Sequence, residues 1–236
     1  MLVEAIILAG GQGTRLRPVV ADRPKPMALV AGRPFLEYQI DHLISQGIQR
    51  VILSVGYRHE LIQQHFGCRY RNIEISYAVE KSPLGTGGGL LLALQQCDAT
   101  HNVLALNGDT WFPLDLVQMT SLHQATQADV TVALRHGTDE GRYGGVVLDG
   151  SQRIINFSSS GERQSQQING GAYLISPRCQ SAWSTASGRH CSLELELLEI
   201  GIKQGLVCYG FISDAPFIDI GVPEDYARAA DVINSE

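Results

Sequence analysis

Residues 6–27 read IILAGGQGTRLRPVVADRPKPM. The opening apolar run has no polar alternation, which suits a strand buried on both faces of a helix-covered parallel sheet. It breaks at Gly10, Gly11 and Gly13, and the segment that follows carries Arg15, Arg17, Arg23 and Lys25 among three prolines. In open α/β sheets, ligands bind in loops at the carboxyl ends of the strands. Glycines there let backbone N–H groups approach phosphate oxygens with no Cβ in the way. Arg15 adds a two-pronged donor and Lys25 a compact positive charge. The stretch therefore reads as a phosphate-binding loop. A surface connector with incidental cations is the plainer alternative, and the buried strand before it weighs against that. The loop lacks the Gly-Lys-Ser/Thr of a Walker motif, and its glycines fall as GGxG rather than GxGxxG, which disfavours a dinucleotide dehydrogenase.

Outward from this stretch the pattern repeats. Strand-like runs at 3–9, 50–55 (RVILSV), 73–79 (IEISYAV), 103–107 (VLALN) and 129–135 (DVTVALR) alternate with helical runs at 35–47, 59–67, 88–97 and 115–125. In the first helix, Phe35, Leu36, Tyr38, Ile40, Leu43 and Ile44 make a broad apolar stripe, and Gly47 supplies a stop. Such alternation implies βαβ crossovers. Beyond residue 140 the rhythm becomes β-rich. YGGVVLDGSQRIINF (143–157) reads as a hairpin turning at Asp149-Gly150, and INGGAYLIS (168–176) as a further strand. A helix follows at 192–205 with Ser192 as its cap, then the strands LVCYGF and FIDIG, then a closing helix that starts at Pro223. The expected fold is α/β, a Rossmann-like, mostly parallel sheet flanked by helices with a β-rich C-terminal portion. We expect a single domain over 1–236, divided in role at residues 135 and 136.

Composition narrows the function. The chain has 236 residues and a net charge of -6, so it has no global basic field to hold nucleic acid, and anion binding must be local. The apolar N-terminal run is too short for a signal or membrane segment, and a soluble cytoplasmic protein is expected. Five cysteines without CxxC or Cys/His spacing read as reduced, mostly buried thiols. Seven histidines show no metal-like spacing, and no nucleophile elbow supports hydrolase chemistry. Oligomeric state is not legible, although apolar strands in the C-terminal half are compatible with a homodimer.

Five segments in order, LAGGQGTRLRP with RPKPM, EKSPLGTGG (80–88), LNGDTWF (106–112), INGGAYL (168–174) and FIDIGVPEDY (217–226), resemble the signature of sugar-1-phosphate nucleotidyltransferases across nearly the whole chain. Within that family the chain is most similar to the D-glycero-D-manno-heptose 1-phosphate guanylyltransferases of bacterial surface-polysaccharide synthesis. The resemblance implies attack of a sugar 1-phosphate oxygen on the α-phosphorus of a nucleoside triphosphate, with loss of pyrophosphate. It implies that Leu8, Gly10, Gly11, Gly13 and Thr14 hold the nucleotide. Arg15 takes the triphosphate, and Lys25 the sugar phosphate or the α-phosphate. Asp109 and Asp219 are the implied Mg²⁺ ligands, two carboxylates whose cation completes its shell with phosphate oxygens. On pattern alone, a turn aspartate at 109 and a solvent-facing residue at 219 stay open.

Glu80 presents adjacent acceptors that suit the N1–H and 2-amino donors of guanine, which favours GTP if it reaches the base. An ordinary strand-end glutamate is the alternative. Gly85, Thr86 and Gly87 are expected to let the base lie against backbone. Asn169 and Gly170 are implied at sugar hydroxyls, where a glycine bulge fits equally well, and Tyr143 and Gly144 at the border of the same pocket. One departure stands out: the family's Phe-x-Glu-Lys segment is replaced by NFSSSGERQ, which leaves Arg163, at a shifted position, as a candidate for the lysine's role and a differently closing loop as the alternative. The expected reaction makes a GDP-heptose from GTP. A mannose-1-phosphate guanylyltransferase, a relative using UTP, CTP or dTTP, and a catalytically silent binding subunit are the rivals.

Overall fold

Ile6 and Ile7 have no exposed surface, and they enter two different core clusters on opposite faces of their strand. That double burial places the strand β1 (Glu4–Ala9) at the centre of the sheet. The computed structural model describes residues 2–137, 145–158, 167–183 and 188–235. The expectations for Tyr143, Gly144 and Arg163 lie outside the described residues.

After β1 the chain makes a small ribbon, β2 (Leu29–Val30) with β3 (Arg33–Pro34), and enters α1 (Phe35–Ser45). Then come β4 (Arg50–Val55), α2 (His59–Phe66), β5 (Arg69–Tyr70), β6 (Ile73–Val79) and α3 (Gly85–Leu94). β7 (Val103–Asn107), β8 (Thr110–Trp111) and α4 (Leu116–Thr126) lead to β9 (Val130–His136). The hairpin β10 (Gly145–Leu148) and β11 (Ile154–Ser158) precedes β12 (Gln167–Ile175) and α5 (Pro177–Trp183). A π-helical stretch (Leu193–Glu199) runs into α6 (Ile200–Lys203), and β13 (Cys208–Ile212), β14 (Ile218–Asp219) and α7 (Pro223–Ile233) close the chain.

The strands β7-β1-β4-β6 are all parallel, and β12 joins antiparallel to β7. β9 pairs with β12 antiparallel and with β13 parallel, so strands from both sides of residue 135 share one ten-stranded sheet. The chain moves from β1 outward to β4 and β6, then returns to the other side of β1 as β7. β1 and β7 therefore flank the point where strand order reverses, the usual ligand crevice of such sheets.

A third core cluster matters for the site. Leu16 and Val20, from the cationic loop, pack with Trp111 of β8, Ile218 and Ile220 around β14, and Ala229 and Ile233 of α7. Backbone bonds from Leu16 and Arg17 to the Gly13 carbonyl, and from Val19 and Val20 to the Leu16 carbonyl, coil the loop into successive turns. The loop is thus an anchored element, not a loose connector. The buried thiols are structural: burial pushes Cys208 up to about 12 and raises Cys179 further, and all five cysteines are free.

Candidate active site

A cleft of about 300 Å³ opens at the carboxyl ends of the parallel strands, walled by Gly10, Gly11, Ser54, Glu80, Lys25 and Asp109 among others. Gly13 adopts φ +58, a left-handed turn that favours glycine, and a Cβ there would stand 3.1 Å from the Lys25 Cβ. This turn folds the loop back so that Lys25 returns to the cleft floor. Lys25 forms an ion pair with Asp109 through Nζ and Oδ2, with both side chains largely shielded from solvent.

Asp109 follows β7 after the single residue Gly108, and its neighbour Thr110 opens β8. Thr110 pairs with Asp219 of β14, and the Ile220 N–H donates to the Asp109 carbonyl at 2.9 Å. The two aspartates thus lie on adjacent backbones, although 110 residues separate them in the chain. In a regular ladder, alternation would turn positions 109 and 219 to opposite faces. Asp109, however, sits just before the first ladder residue, at the Gly108 turn, where its side chain follows the turn and meets Lys25. The Asp219 Oδ1 accepts from the Gly221 N–H at 2.6 Å. Among the described residues no group of three or more His, Cys, Asp or Glu could hold a metal. The donor set fits a hard cation such as Mg²⁺, which takes one or two carboxylates and completes its shell with phosphate oxygens and water.

Glu80 follows the last residue of β6 and lines the cleft, with its carboxylate beside Ser54 and Leu84. Its Oε2 accepts from the Leu84 N–H at 2.9 Å, and a Cβ on Gly10 would stand 2.4 Å from its Oε1. A side chain at Gly10 would therefore displace the Glu80 carboxylate from its present position. Gly85 and Thr86 also line the cleft, as does Leu8.

Other sequence expectations are placed differently. Gly87 turns away from the cleft: a Cβ there would stand 2.9 Å from the Cys191 sulfur, and its N–H donates to the Cys191 carbonyl at 2.9 Å. The cause is the 189–193 segment, which packs on this glycine run and supplies acceptors to the start of α3. Gly170 packs under the Phe112 ring, where a Cβ would stand 2.5 Å from a ring carbon. Asn169 donates to the Tyr173 hydroxyl at 2.8 Å and accepts from the Gly171 N–H at 3.0 Å, within a bulge where the β12–β9 register shifts. Neither Asn169 nor Gly170 is among the cleft walls. Thr14 and Arg15 are exposed on the turn beyond the walls, and Gly13 borders a much smaller cavity beside Arg17 and Tyr57.

Several residues escaped the sequence reading. Ser54, Asn107 and His190 line the cleft. Ser54 was detectable as the polar position of the run RVILSV, whereas His190 arrives from more than 100 residues downstream of Glu80 with no local signal. A network running from the buried Tyr173 to the surface at Thr86 also lies beside the cleft. The Tyr173 hydroxyl donates to Glu194 Oε1 at 2.9 Å, and Glu194 Oε2 accepts from Thr86 at 3.3 Å and Ser192 at 3.1 Å. Burial, with the Glu194 carboxylate adding to it, holds the Tyr173 phenol well above its ordinary pKa, so it remains a donor.

An anchored cationic loop meets the Asp109 turn at the switch point of a parallel sheet, an arrangement chemically suited to bringing phosphate groups together. The chain matches the nucleotidyl transferase family over residues 4–236 and belongs to it. Among its relatives, the D-glycero-alpha-D-manno-heptose 1-phosphate guanylyltransferase of Aneurinibacillus thermoaerophilus is 45% identical over 230 residues, covering 96% of both chains. The protein of the same description from Campylobacter jejuni is 39% identical, covering 95% of this chain and 97% of the relative. The crystal structure of HddC from Yersinia pseudotuberculosis superposes with a TM-score of 0.83 at 32% identity, covering 98% of this chain and 99% of that one. The same protein has been solved with GMP-PN. A mannose-1-phosphate guanylyltransferase of Mycobacterium tuberculosis is 33% identical, and this chain spans 65% of its length.

Proposed function

We propose that this protein transfers GMP from GTP to D-glycero-α-D-manno-heptose 1-phosphate, releasing pyrophosphate and forming the GDP-linked heptose. The observation that carries the proposal is the meeting of Glu80, the glycine turn, Lys25 and Asp109 in one cleft. Two relatives, 45% and 39% identical and covering 96% and 95% of this chain, carry the heptose guanylyltransferase description.

The sugar 1-phosphate oxygen forms a bond to the α-phosphorus while the bond to the β-phosphate bridge breaks. This displacement asks for alignment and charge neutralisation more than covalent help. The backbone of Gly10 and Gly11 holds the nucleotide against β1, with Gly13, Thr14 and Arg15 reaching the outer phosphates. Lys25, held at the junction by Asp109, offsets the charge where the two phosphates meet. Glu80 accepts from the guanine edge, and Gly85 and Thr86 border the base. Asp109 and Asp219 hold Mg²⁺, which when bound supplies Lewis-acid stabilisation of the phosphate oxygens.

The test is a matrix of GTP, UTP, CTP and dTTP against heptose and mannose 1-phosphates, with and without Mg²⁺, read as pyrophosphate release. The fastest turnover is expected with GTP and the heptose phosphate, and only with Mg²⁺. Faster turnover with mannose 1-phosphate or a pyrimidine nucleotide would reassign the substrates. Tight product binding without turnover would make the chain a binding subunit. A role in polysaccharide synthesis and a cytoplasmic location belong to the same proposal. No helix among the described residues is long and apolar enough to cross a membrane. The homodimer is tested by light scattering.

A further inference from the structure

Gln39 lies in the middle of α1 and is 5% exposed. Its Nε2 donates to the carbonyls of Asn107 and Thr110, at 2.8 Å each. These two residues bracket Gly108 and Asp109, so one amide spans the whole turn and spends both of its N–H donors on it. The rest of that amide contributes little, because Gln39 Oε1 is buried with no hydrogen-bond partner among the described residues. A residue placed there for packing alone would be apolar, like its buried neighbours Leu36, Ile40 and Leu43. A buried acceptor left unpaired is a cost that a leucine or methionine avoids. The two N–H bonds are what the glutamine adds.

The turn has two further anchors in the backbone: the Gly108 N–H donates to the Leu8 carbonyl and the Ile220 N–H to the Asp109 carbonyl, each at 2.9 Å. These tie it to β1 and to the β14 segment. Gln39 ties it to α1, whose apolar face is fixed in the core. We propose that Gln39 is a positioning residue for Asp109, holding the Asn107–Thr110 turn at the height where the carboxylate meets Lys25 and serves the divalent cation. Small displacements of such a group carry large losses, because a misaligned ligand leaves the reacting atoms out of line. This inference rests on the role given to Asp109 under Proposed function.

Four variants test it: Gln39→Met, which keeps the volume and loses both donors; Gln39→Glu, which keeps one donor when protonated; Asp109→Asn; and the double variant Gln39→Met/Asp109→Asn. Mn²⁺ binding is measured by electron paramagnetic resonance with a non-hydrolysable GTP analogue, beside kcat, the KM for GTP and the melting temperature. Gln39→Met is expected to weaken Mn²⁺ binding and kcat by about 10- to 100-fold while leaving the KM for GTP within about threefold. Gln39→Glu is expected to fall between Gln39→Met and the wild type. The double variant Gln39→Met/Asp109→Asn is expected to bind Mn²⁺ no more weakly than Asp109→Asn alone. A folded Gln39→Met with Mn²⁺ affinity within twofold of wild type overturns the role. So does a general loss in which kcat and KM worsen together in step with the melting temperature. Should Gln39→Met not fold, Gln39→Glu decides, and wild-type Mn²⁺ affinity in that variant is equally decisive against. If Asp109→Asn leaves turnover and Mn²⁺ binding intact, the reading of the site itself fails. If Asp109→Asn abolishes both and the Gln39 variants change neither, only the role of Gln39 falls.

Discussion

Replacing Asp109 by asparagine keeps the shape of the side chain and removes its charge. In the folded protein the loss falls first on Lys25, whose side chain is 15% exposed against 25% for Asp109. Exposed ion pairs contribute up to about 1 kcal/mol, and breaking a fully buried one costs about 3–5 kcal/mol, so this pair should cost roughly 2 kcal/mol. For a chain of this length that corresponds to a fall of about 4–8 °C in melting temperature. The turn itself should persist, because its anchors from Ile220, Leu8 and Gln39 all involve main-chain atoms of residues 107–110. Catalysis should suffer far more. One of two protein carboxylates for the cation is gone, and Lys25 loses the partner that holds it at the phosphate junction. A loss of about 10³-fold in kcat, roughly 4 kcal/mol, is expected. The KM for GTP should move little, since the glycine turn and Glu80 are untouched. The assay pairs steady-state pyrophosphate release with a thermal melt. A folded variant that retains kcat within tenfold of wild type would refute the assignment of Asp109.

Glu80→Gln keeps an acceptor for the Leu84 N–H but sets an amide donor against the guanine edge. The ratio of kcat/KM for GTP over UTP should fall at least about tenfold, and an unchanged ratio removes Glu80 from base recognition. Leu16→Ala empties a buried site between Trp111 and the β14 segment; a loss of about 2–4 kcal/mol in stability and a raised KM for GTP are expected together. A KM unaffected in that variant would show that the anchoring of the loop does not matter to nucleotide binding. His123 is 3% exposed, bonded to the Thr131 hydroxyl at 2.8 Å, and burial lowers its pKa to about 4 despite the nearby Asp129 carboxylate. Between pH 6.5 and 4 the unfolded chain binds a proton that the folded chain refuses. This stabilising contribution is therefore present above pH 6.5 and is lost as pH falls through that window, by at most about 3 kcal/mol. Chemical denaturation of wild type and His123→Gln at pH 7 and pH 4 should show a smaller pH-dependent loss for the variant; equal losses would refute the assignment.

The parallel centre of the fold was legible because its strands are short apolar runs bounded by glycine or polar turns. β4, β6 and β7 fall at the expected residues. The Ser192 cap also stands where expected, accepting from the Leu195 N–H, although the helix it opens is π-wound before it becomes α6. The two-residue strand β8 carries no periodicity, and only its pairing with β14, which lies within the expected strand FIDIG, defines it. The glycine run 85–89 misled in a specific way. The expected helix starts at residue 88, yet α3 begins at Gly85, and the Cys191 carbonyl accepts from the Gly87 and Gly88 N–H groups of its first turn. The site followed the same division. The glycine turn, Lys25, Glu80 and Asp109 were marked by local chemistry at strand ends. Gln39 carried no such mark, since a single glutamine on an apolar helix face looks like any other until the turn it holds is seen above it.

A crystal grown with Mn²⁺ and a non-hydrolysable GTP analogue would locate the cation by its anomalous signal. The account predicts one peak shared by the carboxylates of 109 and 219 and by a phosphate oxygen, at metal–oxygen distances near 2.1 Å. Two separate peaks, or a single one out of reach of either carboxylate, would contradict it.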